Sequence, residues 1–314
     1  MVQWTDKDIP DLQGRVALVT GANSGLGLET ARALAAKRAH VIMACRNLEK
    51  GSQTQAELSQ AFPQASLELM ELDLASLEAV RAFARSFAAN HARLDLLFNN
   101  AGVMAIPRRE THDGFEMQFG TNHLAHFALT GLLLPTLLAT SRSRIICTTS
   151  AARAMGKIRI DDLNRTRSYG RWEAYGQSKL SNLLFAFELQ RRLAAARAET
   201  ICVAAHPGYA VTNLQTTSAT LSNATLETLL YTKLGPLVGQ TARMGALPQL
   251  YAAFSPDIHG GELVGPGSLG GLRGYPRIET RAQKEYDRAT ARSLWDASVK
   301  LTGVDYSALQ SPAI

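Results

Sequence analysis

Residues 15–27 read RVALVTGANSGLG. The first six, RVALVT, form an apolar run of strand length. The next seven place glycines at Gly21, Gly25 and Gly27 in the spacing G-x-x-x-G-x-G. Residues 25–38 then carry apolar side chains, many of them alanine, on a helical period. A strand that turns on glycine into a helix is the opening of a nucleotide-binding βα unit. Gly21 permits the sharp turn, Gly25 lets backbone approach a pyrophosphate, and Gly27 lets the helix pack close to the sheet. Amides at the helix N-terminus would face the phosphate charge. The spacing is not G-x-G-x-x-G, and no Lys-Ser/Thr pair follows the last glycine, which excludes a P-loop.

The pattern repeats outward from this unit. Strands are expected at residues 40–45 (HVIMAC), 67–72, 94–98, 144–149 and 200–205, with a short one at 262–265. Helices are expected at about 48–62, 77–89, 114–140, 174–198, 226–234, 241–254 and 279–302, and residues 265–274 (GPGSLGGLRG) read as a turn-rich loop. Short strands without alternation, each followed by a helical segment, belong to a parallel sheet covered on both faces. The expected fold is therefore α/β, a doubly wound parallel sheet of the Rossmann type. With no repeat, low-complexity tract or linker, one domain spans 1–314. Its core is 15–265, a lid lies at about 213–239, and a C-terminal extension runs from about 266.

Composition sets the outer bounds. The chain has 314 residues, 46% of them hydrophobic and 19% charged, which excludes a disordered or collagen-like protein. Thirty-three Lys and Arg against 27 Asp and Glu give a net charge of +6, dispersed along the chain, so nucleic acid is not an expected partner. No apolar stretch approaches membrane-spanning length, and residues 1–10 do not read as a signal peptide. Cys45, Cys147 and Cys202 lie in apolar runs and read as buried thiols of a cytoplasmic protein. His123 and His126, three apart on a helix, and His206 lack a Glu or Cys at metal spacing, so no metal is expected from them.

Two further features carry chemistry. In NAD-binding folds the second strand normally ends near an acidic residue that meets the adenosine ribose. Here it ends Met43-Ala44-Cys45-Arg46-Asn47, and Arg46 stands where a guanidinium could grip a 2′-phosphate, favouring NADP(H) over NAD(H). Tyr175 and Lys179 are four apart at the start of a helix and so share a face. A fixed cation beside a phenol favours phenolate and lowers its pKa from about 10.

With these in place the sequence resembles the short-chain dehydrogenase/reductase family. Residues 20–27, with Gly21, Asn23, Ser24, Gly25, Leu26 and Gly27, match its cofactor loop. Arg46 and Asn47 match the end of the second strand, and Asp73 with Leu74 matches the acidic position that meets the adenine ring. Asn99-Asn100-Ala101-Gly102 matches the N-N-A-G element, with Asn99, Ala101 and Gly102 as cofactor contacts. Asn122, Ser150, Tyr175 and Lys179 match the catalytic residues, and Pro207-Gly208 matches the turn beside the nicotinamide. The matches run in the family's order from residue 15 to about 213. Each residue alone has a plainer reading as a cap, turn or core position.

The resemblance implies the roles. Tyr175 would pass a proton to or from the substrate oxygen and Ser150 would hold that oxygen. Lys179 would lower the Tyr175 pKa and bind the nicotinamide ribose, Asn122 would hold a relay water, and Thr212 would bond the carboxamide. The 25-residue gap from Ser150 to Tyr175, the wording of residues 43–47 and 205–209 and the long tail resemble the retinol-dehydrogenase-like branch. The expected activity is NADP(H)-dependent interconversion of an alcohol and a carbonyl on an apolar small molecule. The alternatives are an NADP(H)-binding regulator without chemistry, and a light-dependent protochlorophyllide-type reductase. The chain is expected to be a monomer or homodimer, since a long tail can cover one of the family's pairing faces.

Overall fold

The computed structural model describes residues 3–210, 239–280 and 286–310. Its strands are β1 (Val16–Thr20), β2 (His40–Cys45), β3 (Ser66–Glu71), β4 (Leu96–Asn99), β5 (Arg144–Thr148), β6 (Ile201–Ala205), β7 (Leu263–Ser268) and β8 (Arg273–Ile278). They form one sheet in the order β3-β2-β1-β4-β5-β6-β7-β8. Pairing is parallel from β3 through β7 and antiparallel between β7 and β8. The order reverses at β1, between β2 and β4, and the crevice beyond the carboxyl ends of those strands is where such sheets bind ligands.

Alternation along the strands explains why the sheet is covered twice. Leu18, Ile42, Ala44, Leu97, Ile145, Cys147 and Ala204 point to one face. There they meet α3 (Leu77–Asn90), α5 (Ala125–Ala139) and α6 (Arg171–Ala195). Their neighbours Ala17, Val19, Val41, Met43, Phe98, Ile146 and Val203 point the other way. Those meet α1 (Gly25–Ala36), α2 (Leu48–Ala61) and α7 (Ala242–Phe254). Side chains alternate faces along a strand, so an unbroken apolar run requires two cores.

Three expectations change. Residues 265–274 are not a loop: β7 runs through them to Ser268 and a short turn leads into β8. Gly270 (φ 67°) and Gly271 (φ 90°) adopt left-handed backbone at that turn, and the glycines that suggested a loop serve a tight hairpin on the sheet edge. The helix expected from residue 114 begins with a single turn, α4 (Met117–Phe119), because Glu116 caps it by accepting from the amides of Gln118 and Phe119. A π-helical segment (Gly120–Leu124) then leads into α5. The last helix, α8 (Arg288–Thr302), starts at the Asp287 cap rather than near residue 279, which continues from β8.

The C-terminal extension packs on α5 and α6. Trp295 and Tyr306 join Phe127 and Phe185 in one aromatic cluster, with Trp295 and Tyr306 centroids 4.6 Å apart. The Tyr306 hydroxyl donates to the Phe127 carbonyl (2.7 Å). Gly131 admits this packing, since a Cβ there would lie 2.5 Å from Val304. No helix among the described residues is long and apolar enough to cross a membrane.

Candidate active site

The loop after β1 is held as expected for a phosphate cradle. Gly21 has φ 69°, and its amide donates to the Ala44 carbonyl at the end of β2 (2.8 Å). A Cβ on Gly27 would lie 2.2 Å from the Gly21 carbonyl oxygen, so the helix meets the turn without room for any side chain. Ser24 is the N-cap of α1, yet its hydroxyl makes no capping bond. The first-turn amides of α1 are thus not capped by this side chain.

The exit of β4 closes the other wall. The Thr20 hydroxyl accepts from the amides of Asn100 and Ala101 (2.9 Å each), and Asn100 Nδ2 donates to the Thr20 carbonyl (2.8 Å). Asn122, fully buried, accepts from the Val103 amide through Oδ1 (2.8 Å). Its Nδ2 donates to the Val103 carbonyl and to Ser178 Oγ (2.9 Å each). It thereby ties the strand exit to the helix that carries Tyr175. A Cβ on Gly102 would lie 2.8 Å from Asn122 Oδ1 and 3.4 Å from Lys179 Nζ, so glycine keeps this floor open.

Ser150, Tyr175 and Lys179 converge above that floor. Ser150 caps the short helix Ala151–Met155, accepting from the Ala152 amide (3.2 Å), and its hydroxyl faces the Tyr175 phenol. Burial pushes the phenol up to about 12, partly offset by Ser150. The expected lowering by Lys179 is corrected here. The ammonium lies 5.9 Å from the Tyr175 ring centroid and donates to the Thr148 carbonyl (3.2 Å), not to the phenolic oxygen. Burial lowers Lys179 itself to about 8. Among the described residues, one acceptor serves an ammonium with three N–H donors. Such a buried cation has donors to spare for hydroxyl groups.

The other expected site residues sort by what their side chains do. Arg46 is exposed just past β2 and forms no ion pair among the described residues. Asn47 caps α2, its Oδ1 accepting from the Lys50 amide (2.8 Å), so that side chain has a local task. Asp73 closes a turn onto the Ala75 amide (2.9 Å), while Ser76 caps α3. Leu74 is buried. Asn99 Nδ2 donates to Thr130 Oγ1 (2.8 Å) inside the core, so the side chain turns away from the crevice and only its backbone can line the floor. Thr212 and, but for residue 239, the lid expected at about 213–239 lie outside the described residues.

Two supports escaped the sequence reading. His126 Nδ1 meets the Asn122 carbonyl (3.1 Å) and must carry the proton, so Nε2 accepts from the Thr20 hydroxyl (3.0 Å). Behind the Pro207-Gly208 turn, His206 Nδ1 accepts from the Gly208 amide (3.2 Å), and Nε2 donates to Glu279 Oε1 (2.7 Å). Burial alone would raise Glu279, but His206 and Arg153 (3.2 Å) outweigh it and hold the carboxyl low. Gly208 (φ 65°) leaves no room for a Cβ, which would sit 2.4 Å from the Leu272 carbonyl. Thr20 and His126 lie 106 residues apart, and His206 and Glu279 lie 73 apart, so no spacing rule pairs them. The only signal was His206 itself beside the P-G turn. His123 meets Ser298 Oγ (2.9 Å). All three cysteines are buried and free, and burial raises Cys45 to about 11, as core thiols require.

Comparisons with known proteins agree with this geometry. The short chain dehydrogenase family matches residues 15–221. Retinol dehydrogenase 14 of Mus musculus is 39% identical over 93% of this chain and 87% of its own length. Polyprenol dehydrogenase of Homo sapiens is 35% identical over 94% and 88%. A crystal structure of an uncharacterized protein from Mycobacterium paratuberculosis is 41% identical, with TM-score 0.77, over 97% of this chain and 99% of that one. A short-chain dehydrogenase from Escherichia coli CFT073, complexed with NADPH, is 26% identical with TM-score 0.55 over 68% and 83%. With two thirds of its length matched and its relatives aligned nearly end to end, this chain belongs to the short-chain dehydrogenase/reductase family of oxidoreductases, in the retinol-dehydrogenase-like branch.

Proposed function

We propose that the chain is an NADP(H)-dependent oxidoreductase that interconverts an apolar alcohol and its carbonyl compound, with Tyr175 as the acid or base. The observation that carries this reading is the convergence of Ser150, Tyr175, Lys179 and Asn122 on one buried floor. That floor adjoins a glycine cradle whose turn admits no Cβ. The residues fit a dinucleotide on three counts: unspent amides at the α1 N-terminus, a buried ammonium with spare donors, and an exposed guanidinium at the β2 end where an acid would mark NAD. The NADPH complex of the Escherichia coli relative supports the same choice.

When bound, the reduced nicotinamide supplies hydride to the carbonyl carbon. Tyr175, protonated at neutral pH because burial holds its pKa near 12, donates its proton to the carbonyl oxygen. The Ser150 hydroxyl donates to that oxygen and orients it. Lys179 binds ribose hydroxyls with the N–H donors that Thr148 leaves unused. A water held at Asn122 would return the proton through Lys179. Oxidation runs these steps backward, with Tyr175 as base. A regulator that binds cofactor without chemistry would not need this intact group.

The relatives named for retinol and polyprenol, both long isoprenoid alcohols, support an apolar substrate. The test is cofactor turnover with retinal, isoprenoid aldehydes, quinones and ketosteroids, run with NADPH and NADH in parallel. The reading expects oxidation of NADPH by at least one apolar carbonyl, abolished by Tyr175→Phe. Turnover unaffected by that substitution would overturn it.

A further inference from the structure

Parallel strands place every catalytic residue at their carboxyl ends. At the opposite end of the sheet a second cluster of chemically active side chains comes together. His40 opens β2, Glu68 lies on the neighbouring edge strand β3, and His91 follows the last turn of α3. The two imidazoles reach the same carboxylate oxygen. His40 Nε2 lies 3.3 Å from Glu68 Oε2, and His91 Nε2 lies 3.2 Å from it. One ligand atom from each residue falls within 4.8 Å of the others.

The contact on His91 is not a hydrogen bond. Its Nε2 is buried and has no hydrogen-bond partner, so an N–H there would not point at the oxygen 3.2 Å away. A lone pair directed past the oxygen toward a shared centre accounts for a short distance without bonding geometry. Four ligands at the bond lengths zinc makes to imidazole and carboxylate, roughly 2.0–2.1 Å, stand about 3.3 Å apart along the edges of a tetrahedron. The two observed separations match that edge. His40 is also oriented from behind. Its Nδ1 lies 2.7 Å from Ser66 Oγ, and with Nδ1 protonated the Nε2 lone pair is free for a ligand bond. Packing of the His91 ring against Phe87, with centroids 4.8 Å apart, holds the second imidazole.

We infer that His40, Glu68 and His91 form a binding site for one divalent transition-metal ion of the zinc type, with solvent completing the coordination. Two imidazoles and one carboxylate suit a borderline ion rather than calcium or magnesium, which prefer oxygen alone. The ion would clip the start of β2, the exposed edge strand and the end of α3. It would stabilise the fold without touching the reaction centre.

The full-length protein, stripped with chelator, should be titrated with Co2+ as the optical probe and then with Zn2+ in competition. The site predicts one equivalent of Co2+ with four- or five-coordinate ligand-field bands and no thiolate charge-transfer band, displaced by Zn2+. Zn2+ should raise the unfolding temperature. Glu68→Gln or His91→Ala should weaken binding by about 100-fold or more, and Ser66→Ala by roughly 10-fold. Removing the surface histidines His112 and His259 should change nothing. Should His91→Ala not fold, Glu68→Gln on the edge strand carries the same test, with circular dichroism reporting the fold. No binding, binding undiminished by Glu68→Gln, or a thiolate band would each overturn the assignment.

Discussion

His126 accepts a hydrogen bond from the hydroxyl of Thr20 across 3.0 Å, joining the last residue of β1 to the first turn of α5. The imidazole can do this only while neutral. Burial, and then the charge of Lys179, lower His126 to about 4, and burial lowers His123 to about 3. Both values lie below the ordinary 6.5, so the folded protein binds these protons more weakly than the unfolded chain. Their contribution is complete above about pH 6.5 and is lost as pH falls toward 4, by up to about 1.4 kcal/mol per pH unit per group. Denaturant midpoints should fall once the pH drops below 6.5. His126→Gln, neutral throughout, should flatten that slope. An unchanged slope would show that His126 is not held neutral.

Tyr175→Phe removes the transferable proton and leaves the ring that packs against Trp172, 6.1 Å between centroids. Turnover should fall by roughly 100-fold or more, the range of general acid catalysis. The dissociation constant for NADPH, read by its fluorescence, should stay within about threefold.

Lys179, lowered to about 8 by burial, is charged below that value and neutral above it. Affinity of the free enzyme for NADPH should therefore decline between pH 7.5 and 9.5. Lys179→Met should bind weakly with no such decline. A wild-type affinity that is flat across this range would remove the ammonium from cofactor binding.

Arg46 stands exposed beyond β2, and residues 43–47 at that strand end include no acid. Arg46→Ala should weaken NADPH by about tenfold, the value of a solvent-exposed charge-assisted bond, and leave NADH nearly unchanged. Equal losses for both would mean that the guanidinium does not read the 2′-phosphate.

The tail already covers α5 and α6, through Trp295 on Phe127 and Tyr306 bonded to the Phe127 carbonyl. A dimer that buries this helical face would have to displace the seated tail, so light scattering should find no dimer sensitive to substitution on that face. Trp295 is also covered by Arg192, 4.2 Å above its ring. Trp295→Ala should cost about 3–5 kcal/mol in denaturant unfolding.

The glycine turn at 21–27, the alternating strands and the Tyr175–Lys179 spacing were legible because each is local. A turn needs its glycines within a few residues, a two-faced strand needs an unbroken apolar run, and i, i+4 residues share a helix face. The same locality misled at residues 265–274, where five glycines suggested a loop and the chain forms a hairpin strand pair. At Asn99 the motif was present, but the side chain found Thr130 in the core.

The linear chain thus determined the α/β class, the glycine turn and the candidate site residues, since propensity and periodicity act over neighbours. Tertiary structure alone decided which charges and hydrogen bonds those residues feel. Tyr175 is raised rather than lowered because burial outweighs the contribution of Ser150, while the Lys179 ammonium turns to Thr148. Glu279 supports His206 from 73 residues away, and Glu68 meets two histidines separated by 51 positions (91 − 40). Desolvation and long-range pairing depend on what folding places on every side of a group, and no spacing rule in the sequence encodes that.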